Sequence, residues 1–196
     1  YPPRAYCHTW TFHFAGNVVV VTGGTSGIGK AVGLAFASHG ATVVLTHRWG
    51  SADENDVQAE FAAASATEPI IVESDVSDED AADRLLERVA RLGQPLLALV
   101  NNVSFSKVVE TFEDYKRSSF DLSVGYSAWP LISYLQASKR HLGAYPKYAL
   151  AMSSDGGEMC HPGYDFAGAS KAVLETLCRY LALRLKPEGV RVNVIR

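Results

Sequence analysis

Four consecutive valines, Val18 to Val21, run straight into Thr22-Gly-Gly-Thr-Ser-Gly-Ile-Gly29. A β-branched run without polar alternation reads as a strand buried on both faces, here residues 17–22. The glycines that follow dictate a turn. Gly23 permits a tight reversal, Gly27 lets the backbone approach a pyrophosphate, and Gly29 lets the next helix pack closely, with its first N–H groups facing the anion. Residues 28–39 carry the small and apolar side chains of a packed helix, closed by Gly40 at a position that needs a left-handed cap.

The rest of the chain repeats this alternation. A second strand is expected over residues 41–46. Ser51-Ala-Asp-Glu54 has the spacing of a capping box and opens a helix to about residue 64. A third strand follows at 70–72. Ser77-Asp-Glu-Asp80 opens a helix to residue 92 with Leu85, Leu86, Val89 and Leu92 on one side, before a fourth strand at 96–100. One long helix is expected over 115–142, kinked at Pro130, then a strand at 148–152, a helix at 164–185 and a strand at 190–195. Apolar strands alternating with helices imply a single α/β domain over 1–196, with residues 1–14 as an N-terminal arm. Its doubly wound (Rossmann) parallel sheet carries helices on both faces. Ligands of such sheets bind beyond the carboxyl ends of the strands.

A net charge of −3 leaves no basic stripe for nucleic acid or an anionic membrane. Neither partner is expected. No apolar run approaches the ~20 residues that span a bilayer, and the first ten residues lack a signal-peptide pattern. Cys7, Cys160 and Cys178 form no CxxC pair and are odd in number, so a reducing cytoplasm is expected. Cys7, His8 and His13 stand at no recognised ligand spacing, and no metal is expected.

Chemistry-bearing residues gather in 153–171. In a helix, Tyr164 and Lys171 are seven residues apart, which places them within roughly 20° of one face. An ammonium beside a phenol stabilises the phenolate and makes the phenol a better proton donor near neutral pH.

Thr22-Gly-Gly-Thr-Ser-Gly-Ile-Gly29 resembles the cofactor signature of the short-chain dehydrogenases/reductases. Asp75-Val76 resembles that family's adenine-contacting pair, and Asn101-Asn102-Val103-Ser104 its Asn-Asn-Ala-Gly, matching in the first half. Gly189 to Ile195 resembles its last long strand, so the likeness covers residues 12–196. Members continue beyond the equivalent of Arg196 with a substrate-covering loop and a final strand. The resemblance implies cofactor binding by Gly23, Thr25, Ser26, Gly27, Ile28, Gly29, His47, Arg48, Asp75, Val76, Asn101 and Lys171. No acid stands at the end of the second strand, where NAD-specific folds place one for the ribose 2′-OH, whereas Arg48, assisted by His47, suits a 2′-phosphate. NADPH is therefore expected over NADH.

The departures from the family are equally informative. Its usual Tyr-x-x-x-Lys requires a tyrosine where this chain has Ala167, and its mid-helix relay Asn aligns with Ser123. Tyr164 to Lys171 instead gives Tyr-x6-Lys, which resembles the divergent enoyl-acyl-carrier-protein reductases, with Ser153-Ser154 ten residues ahead of the Tyr. The resemblance implies reduction of the C=C bond of an enoyl thioester on acyl carrier protein or coenzyme A. Tyr164 would stabilise the enolate oxygen, Lys171 would hold the nicotinamide ribose, and Ser154 either donates near the thioester or the cofactor or serves as a turn residue before Gly156. Phe166, Met159 and Tyr126 either line an acyl pocket or fill core, with core favoured for Phe166. Two alternatives stand beside it: a carbonyl or imine reductase with an unusual Tyr, and a cofactor-binding homologue without turnover.

The last helix carries Val173, Leu174, Leu177, Leu181 and Leu185, an apolar face that predicts a homodimer or homotetramer through the long helices. Light scattering at micromolar concentration should report more than a monomer, and a monomer alone would contradict the prediction.

Overall fold

The structure, a computed structural model, describes residues 13–48 and 53–196. Six parallel strands form one sheet in the order β3-β2-β1-β4-β5-β6. They are β1 (Val18–Val21), β2 (Thr42–His47), β3 (Ile70–Glu73), β4 (Leu96–Asn101), β5 (Tyr148–Met152) and β6 (Arg191–Ile195). The helices are α1 (Gly27–Ala37), α2 (Glu54–Ala63), α3 (Ala81–Ala90), α4 (Arg117–Ser127), α5 (Trp129–Leu142) and α6 (Asp165–Arg184). The doubly wound order reverses between β1 and β4, whose registers pair Val21 with Leu45 of β2 on one side and with Val100 on the other. The cleft beyond those strand ends is the place a ligand is expected.

Two apolar layers sandwich the sheet. Val19, Val21, Val43, Leu45 and Phe61 fill one beneath α1 and α2. Val18, Val20, Leu85, Leu99, Leu131 and Leu174 fill the other beneath α3, α5 and α6. All four valines of β1 are fully buried, because adjacent residues of a strand point to opposite faces and both faces are covered.

Several boundaries differ from the sequence expectation for identifiable reasons. Ser51 lies outside the described residues. The N-cap of α2 is Asp53, whose side chain accepts from the N–H of Asn55. The helix expected over 115–142 is two helices, and the break falls at Ala128 (φ −111°, ψ −44°) rather than at Pro130. Proline has no N–H to return to the preceding turn, but its fixed φ suits a helix start, so Pro130 sits in the first turn of α5. Tyr164 is the N-cap of α6 and not its first turn (φ −101°, ψ 14°).

Leu174 is wholly buried, and Val173, Leu177, Leu181 and Leu185 pack against the core. These four are partly buried. What α6 leaves open is Tyr180 and Leu183. Cys178 is buried under α6, and desolvation pushes its thiol up to about 11, while Cys160 is exposed. Cys7 and His8 lie outside the described residues. Among the described residues there is no metal-binding cluster, and no helix is long and apolar enough to cross a membrane.

Candidate active site

The glycine turn closes on itself at the carboxyl end of β1. Gly23 (φ +61°) and Gly27 (φ +50°) adopt left-handed conformations. A Cβ on Gly29 would stand 2.3 Å from the Gly23 carbonyl oxygen and 2.5 Å from Asn102 Nδ2, so only glycine lets α1 begin there. Ser26, the N-cap of α1, makes no side-chain cap bond, which leaves first-turn N–H groups for an anion. Ser26, Gly27 and Ile28 are exposed at the mouth, with Ile28 63% accessible, and Thr25 is buried behind them. An uncapped helix start behind an open glycine turn fits the pyrophosphate of a dinucleotide.

Beside the turn lies a cavity of about 150 Å³ walled by Thr46, His47, Arg48, Asp75, Val76 and Tyr126. Asp75 accepts from the Ser77 N–H (2.9 Å) and hydroxyl (2.8 Å), and Arg48 Nε lies 3.5 Å from its Oδ2. Burial pushes this carboxyl up, but the Ser77 and Tyr126 hydrogen bonds and the Arg48 charge outweigh it, holding Asp75 below its ordinary value. The Arg48 guanidinium donates to Tyr126 Oη (3.3 Å) and lies 5.9 Å from the ring centroid. Arg48, Asp75 and Val76 thus line one cavity. Tyr126, weighed for an acyl pocket, belongs to this wall and stacks on Phe105 at 5.6 Å. His47 lines the same wall, its Nε2 3.0 Å from Glu54.

Asn101 does not face this cleft. It is 1% exposed, its Nδ2 donates to the Ser127 carbonyl (3.0 Å), and its Oδ1 is buried without a partner, so it braces the α4–α5 break. The next residue holds the turn instead, since adjacent strand residues face opposite sides. Asn102 Nδ2 donates to the carbonyls of Thr22 (3.0 Å) and Gly23 (2.9 Å). Thr22 Oγ1 accepts from the N–H groups of Asn102 and Val103. The Asn-Asn pair was visible in the sequence, but the strand's phase decides which member serves. Ser123, in the relay Asn's place, is fully buried and donates to the Ser119 carbonyl (2.8 Å), turned inward along its own helix.

At the ends of β5 and α6 no hydrogen bond joins Tyr164 to Lys171 among the described residues. Lys171 is 5% exposed and donates to the Met152 carbonyl (2.9 Å), and burial alone lowers its pKa. The Tyr164 ring lies over Gly156, where any Cβ would fall 2.4 Å from it, in a groove shared with Met159, Cys160 and His161. Because Tyr164 precedes the helix, the seven-residue spacing does not set its direction. Ser154 caps the short turn Asp155–Gly157 by accepting from the Gly156 N–H (3.2 Å), and it donates to Asp155 (3.1 Å). Phe166 is core, packed on Tyr115 and Phe120, and Met159 is exposed. Sequence reasoning missed a buried group here: Glu175, which accepts from Ser153 (2.6 Å) and from Arg196, itself paired with Glu158.

Residues 23–196 match the family described as Enoyl-(Acyl carrier protein) reductase. The chain is 32% identical to an uncharacterized oxidoreductase of Methylorubrum extorquens over 92% of its own length and 71% of the relative's. This chain is a short-chain dehydrogenase/reductase. It is 29% identical to the enoyl-acyl-carrier-protein reductase (NADH) FabI of Escherichia coli, covering 92% of this chain and 70% of that one. A short-chain dehydrogenase from Burkholderia cenocepacia, solved in complex with NADP, superposes with a TM-score of 0.81 at 28% identity, over 93% of this chain and 74% of that one. The chain is therefore an oxidoreductase of this superfamily with a Rossmann cofactor cradle, and it spans about 70% of the length of the first two relatives.

Lys171 carries the clearest consequence for stability. Its folded pKa lies below the unfolded one, so between the two values the unfolded state binds more protons and stability rises with pH. Below that window the folded chain bears the full cost of a desolvated ammonium. Lys171→Met should raise the urea-unfolding free energy of the nucleotide-free protein by about 1–2 kcal/mol at neutral pH, and the gain should shrink toward pH ~10. Cofactor affinity should fall in the same variant. A loss of stability at neutral pH would refute the account.

Proposed function

We propose that this short-chain reductase binds NADPH and reduces the C=C bond of an enoyl thioester carried by acyl carrier protein or coenzyme A. The observation that carries the reading is at the start of α6. A buried alanine, Ala167, occupies the position of the carbonyl-reducing phenol, and the phenol at this end of the helix is Tyr164, three residues earlier at the N-cap. The family description and the likeness to FabI support it.

The displacement has a chemical reason. Carbonyl reduction needs an acid at the oxygen of the carbon that receives hydride, whereas an enoyl thioester accepts hydride at Cβ and builds charge on a more distant carbonyl oxygen. The bound nicotinamide would supply the hydride to Cβ, and solvent the proton to Cα. Tyr164 Oη, which makes no hydrogen bond among the described residues, would donate to that oxygen. Lys171 uses one of its three N–H donors on the Met152 carbonyl, and the others would suit the ribose hydroxyls while its charge would favour the enolate. Arg48, already in the adenosine-side cavity, would pair with a 2′-phosphate.

NADPH oxidation should proceed with an enoyl thioester and not with a ketoacyl thioester; the reverse preference would establish the carbonyl-reductase alternative. Tyr164→Phe keeps the ring and should lower kcat by about 10²–10³, the usual cost of one oxyanion donor, with KM little changed. Full turnover in the folded variant would remove Tyr164 from the chemistry. Arg48→Ala should raise the KM for NADPH and leave that for NADH nearly unchanged, and equal losses would count against the 2′-phosphate assignment.

A further inference from the structure

The guanidinium of Arg196 lies between two carboxylates that belong to different parts of the fold. Its Nε (3.0 Å) and one terminal nitrogen (2.5 Å) donate to Glu175 of α6, and both terminal nitrogens donate to Glu158 (2.8 and 2.7 Å) in the loop that follows β5. Glu175 is 6% exposed and accepts a further bond from Ser153 (2.6 Å), so the α6 end of this bridge is fixed, whereas Glu158 is exposed. Paired forks of this kind fix direction as well as distance. Among the described residues, every other hydrogen bond of residues 154–163 closes within that loop or on Tyr164. The loop lies hard against the helix. A Cβ on Gly168 would stand 2.4 Å from the Gly156 carbonyl oxygen, and one on Gly156 would stand 2.4 Å from the Tyr164 ring. We propose that Arg196, by clamping Glu158 to Glu175, is a positioning residue for the Tyr164 phenol.

The proposal rests on the reading above, in which the phenol donates to the enolate oxygen. An ion pair as exposed as that of Glu158 with Arg196 adds little to folding. Its consequence is geometric. Tyr164 is the N-cap of α6, so helical dihedrals do not set its direction; its ring rests on Gly156, and Gly156 belongs to the loop that Glu158 anchors. A donor displaced by about 1 Å loses a large factor in rate although no substrate contact is removed. The network also reaches the ammonium, because Ser153, bonded to Glu175, directly follows Met152, whose carbonyl accepts from Lys171. Arg196 and Glu175 do not line the groove at Tyr164 and act through the loop. Glu158 does line it, and only a dependence on the phenol distinguishes placement of the ring from a substrate contact of Glu158's own.

Glu158→Ala breaks the clamp safely, because Arg196 keeps Glu175 and no buried carboxylate loses its partner. With crotonyl-coenzyme A and NADPH, kcat should fall about tenfold while the KM values for both stay nearly unchanged. The same substitution in the Tyr164→Phe background should change kcat by less than about twofold, since a clamp that acts through the phenol then has nothing to place. An equal fall in both backgrounds, or no fall with Tyr164 present, overturns the proposal and leaves the enoyl-reductase reading standing. Full turnover in Tyr164→Phe, or none in the wild type, overturns that reading and the positioning role with it. Amide hydrogen exchange follows the clamp without any substrate. Residues 155–164 should exchange about tenfold faster in Glu158→Ala, with α6 at its wild-type rate. No change over 155–164 overturns the clamp whatever substrate the enzyme takes.

Discussion

The amide of Asn102 closes the glycine turn onto β4, and the arrangement of the carboxyl edge follows from that closure. Its two donor bonds to the Thr22 and Gly23 carbonyls satisfy acceptors that a reversing backbone would otherwise leave bare. Thr22 completes the clamp by accepting from the N–H groups of Asn102 and Val103. The turn is thereby tied to the strand across the switch point. The second side is fixed by Gly24, whose N–H donates to the Thr46 carbonyl at 2.8 Å, so β2 is held in the same cluster. Gly29 must then be glycine, because the closed turn places the Gly23 carbonyl where a Cβ would go. An anion site made of backbone N–H groups needs this rigidity, since its donors have no side-chain torsions with which to adjust.

The sheet was legible because its strands are continuous apolar runs and its turns are glycines. That signal is local: Val18 to Val21 can be nothing but buried, and positive φ at Gly23 and Gly40 follows from residue type. The cavity beside the glycine turn was half legible. Arg48, Asp75 and Val76 follow strands and were expected at the edge, whereas Tyr126 arrives from α4, and only the packed fold brings it to within hydrogen-bond reach of Ser77 and Asp75. Glu54 was read as part of a capping box. Its partner is His47, seven residues back across the β2–α2 connection, and no local periodicity encodes that contact. Asn101 shows the opposite error, in which a motif was carried over whole although strand alternation lets only one of its two asparagines face the cleft.

Tyr164 was misplaced for a physical reason that bears on its chemistry. Helical spacing applies only between residues with helical dihedrals, and Pro162 and Gly163 (φ +72°) bring the chain to α6 from outside. Its direction is set by the turn at 155–157, where Gly156 has no side chain and the ring takes that space. The segment is anchored at both ends: Ser153 to Glu175 and to the Ile195 carbonyl, and Glu158 to Arg196. Arg196 bridges Glu158 and Glu175, which places the charge of the β6 end beneath the loop that carries the phenol.

The same arrangement explains how the site tolerates Lys171. Isolated ammonium burial is costly, and Lys171 has one acceptor, the Met152 carbonyl, with burial as the cause of its lowered pKa. Glu175 lies one turn further along α6, but its carboxylate is bound by Ser153 and Arg196, and both bonds hold it below its ordinary value against the pull of burial. The Glu175 carboxylate is thus committed to Arg196 and Ser153. Among the described residues no carboxylate pairs with Lys171, so its ammonium is poorly solvated in the folded chain. In the reading proposed above, ribose hydroxyls and the developing enolate would be the partners this ammonium lacks, a differential interaction of the kind that catalysis requires.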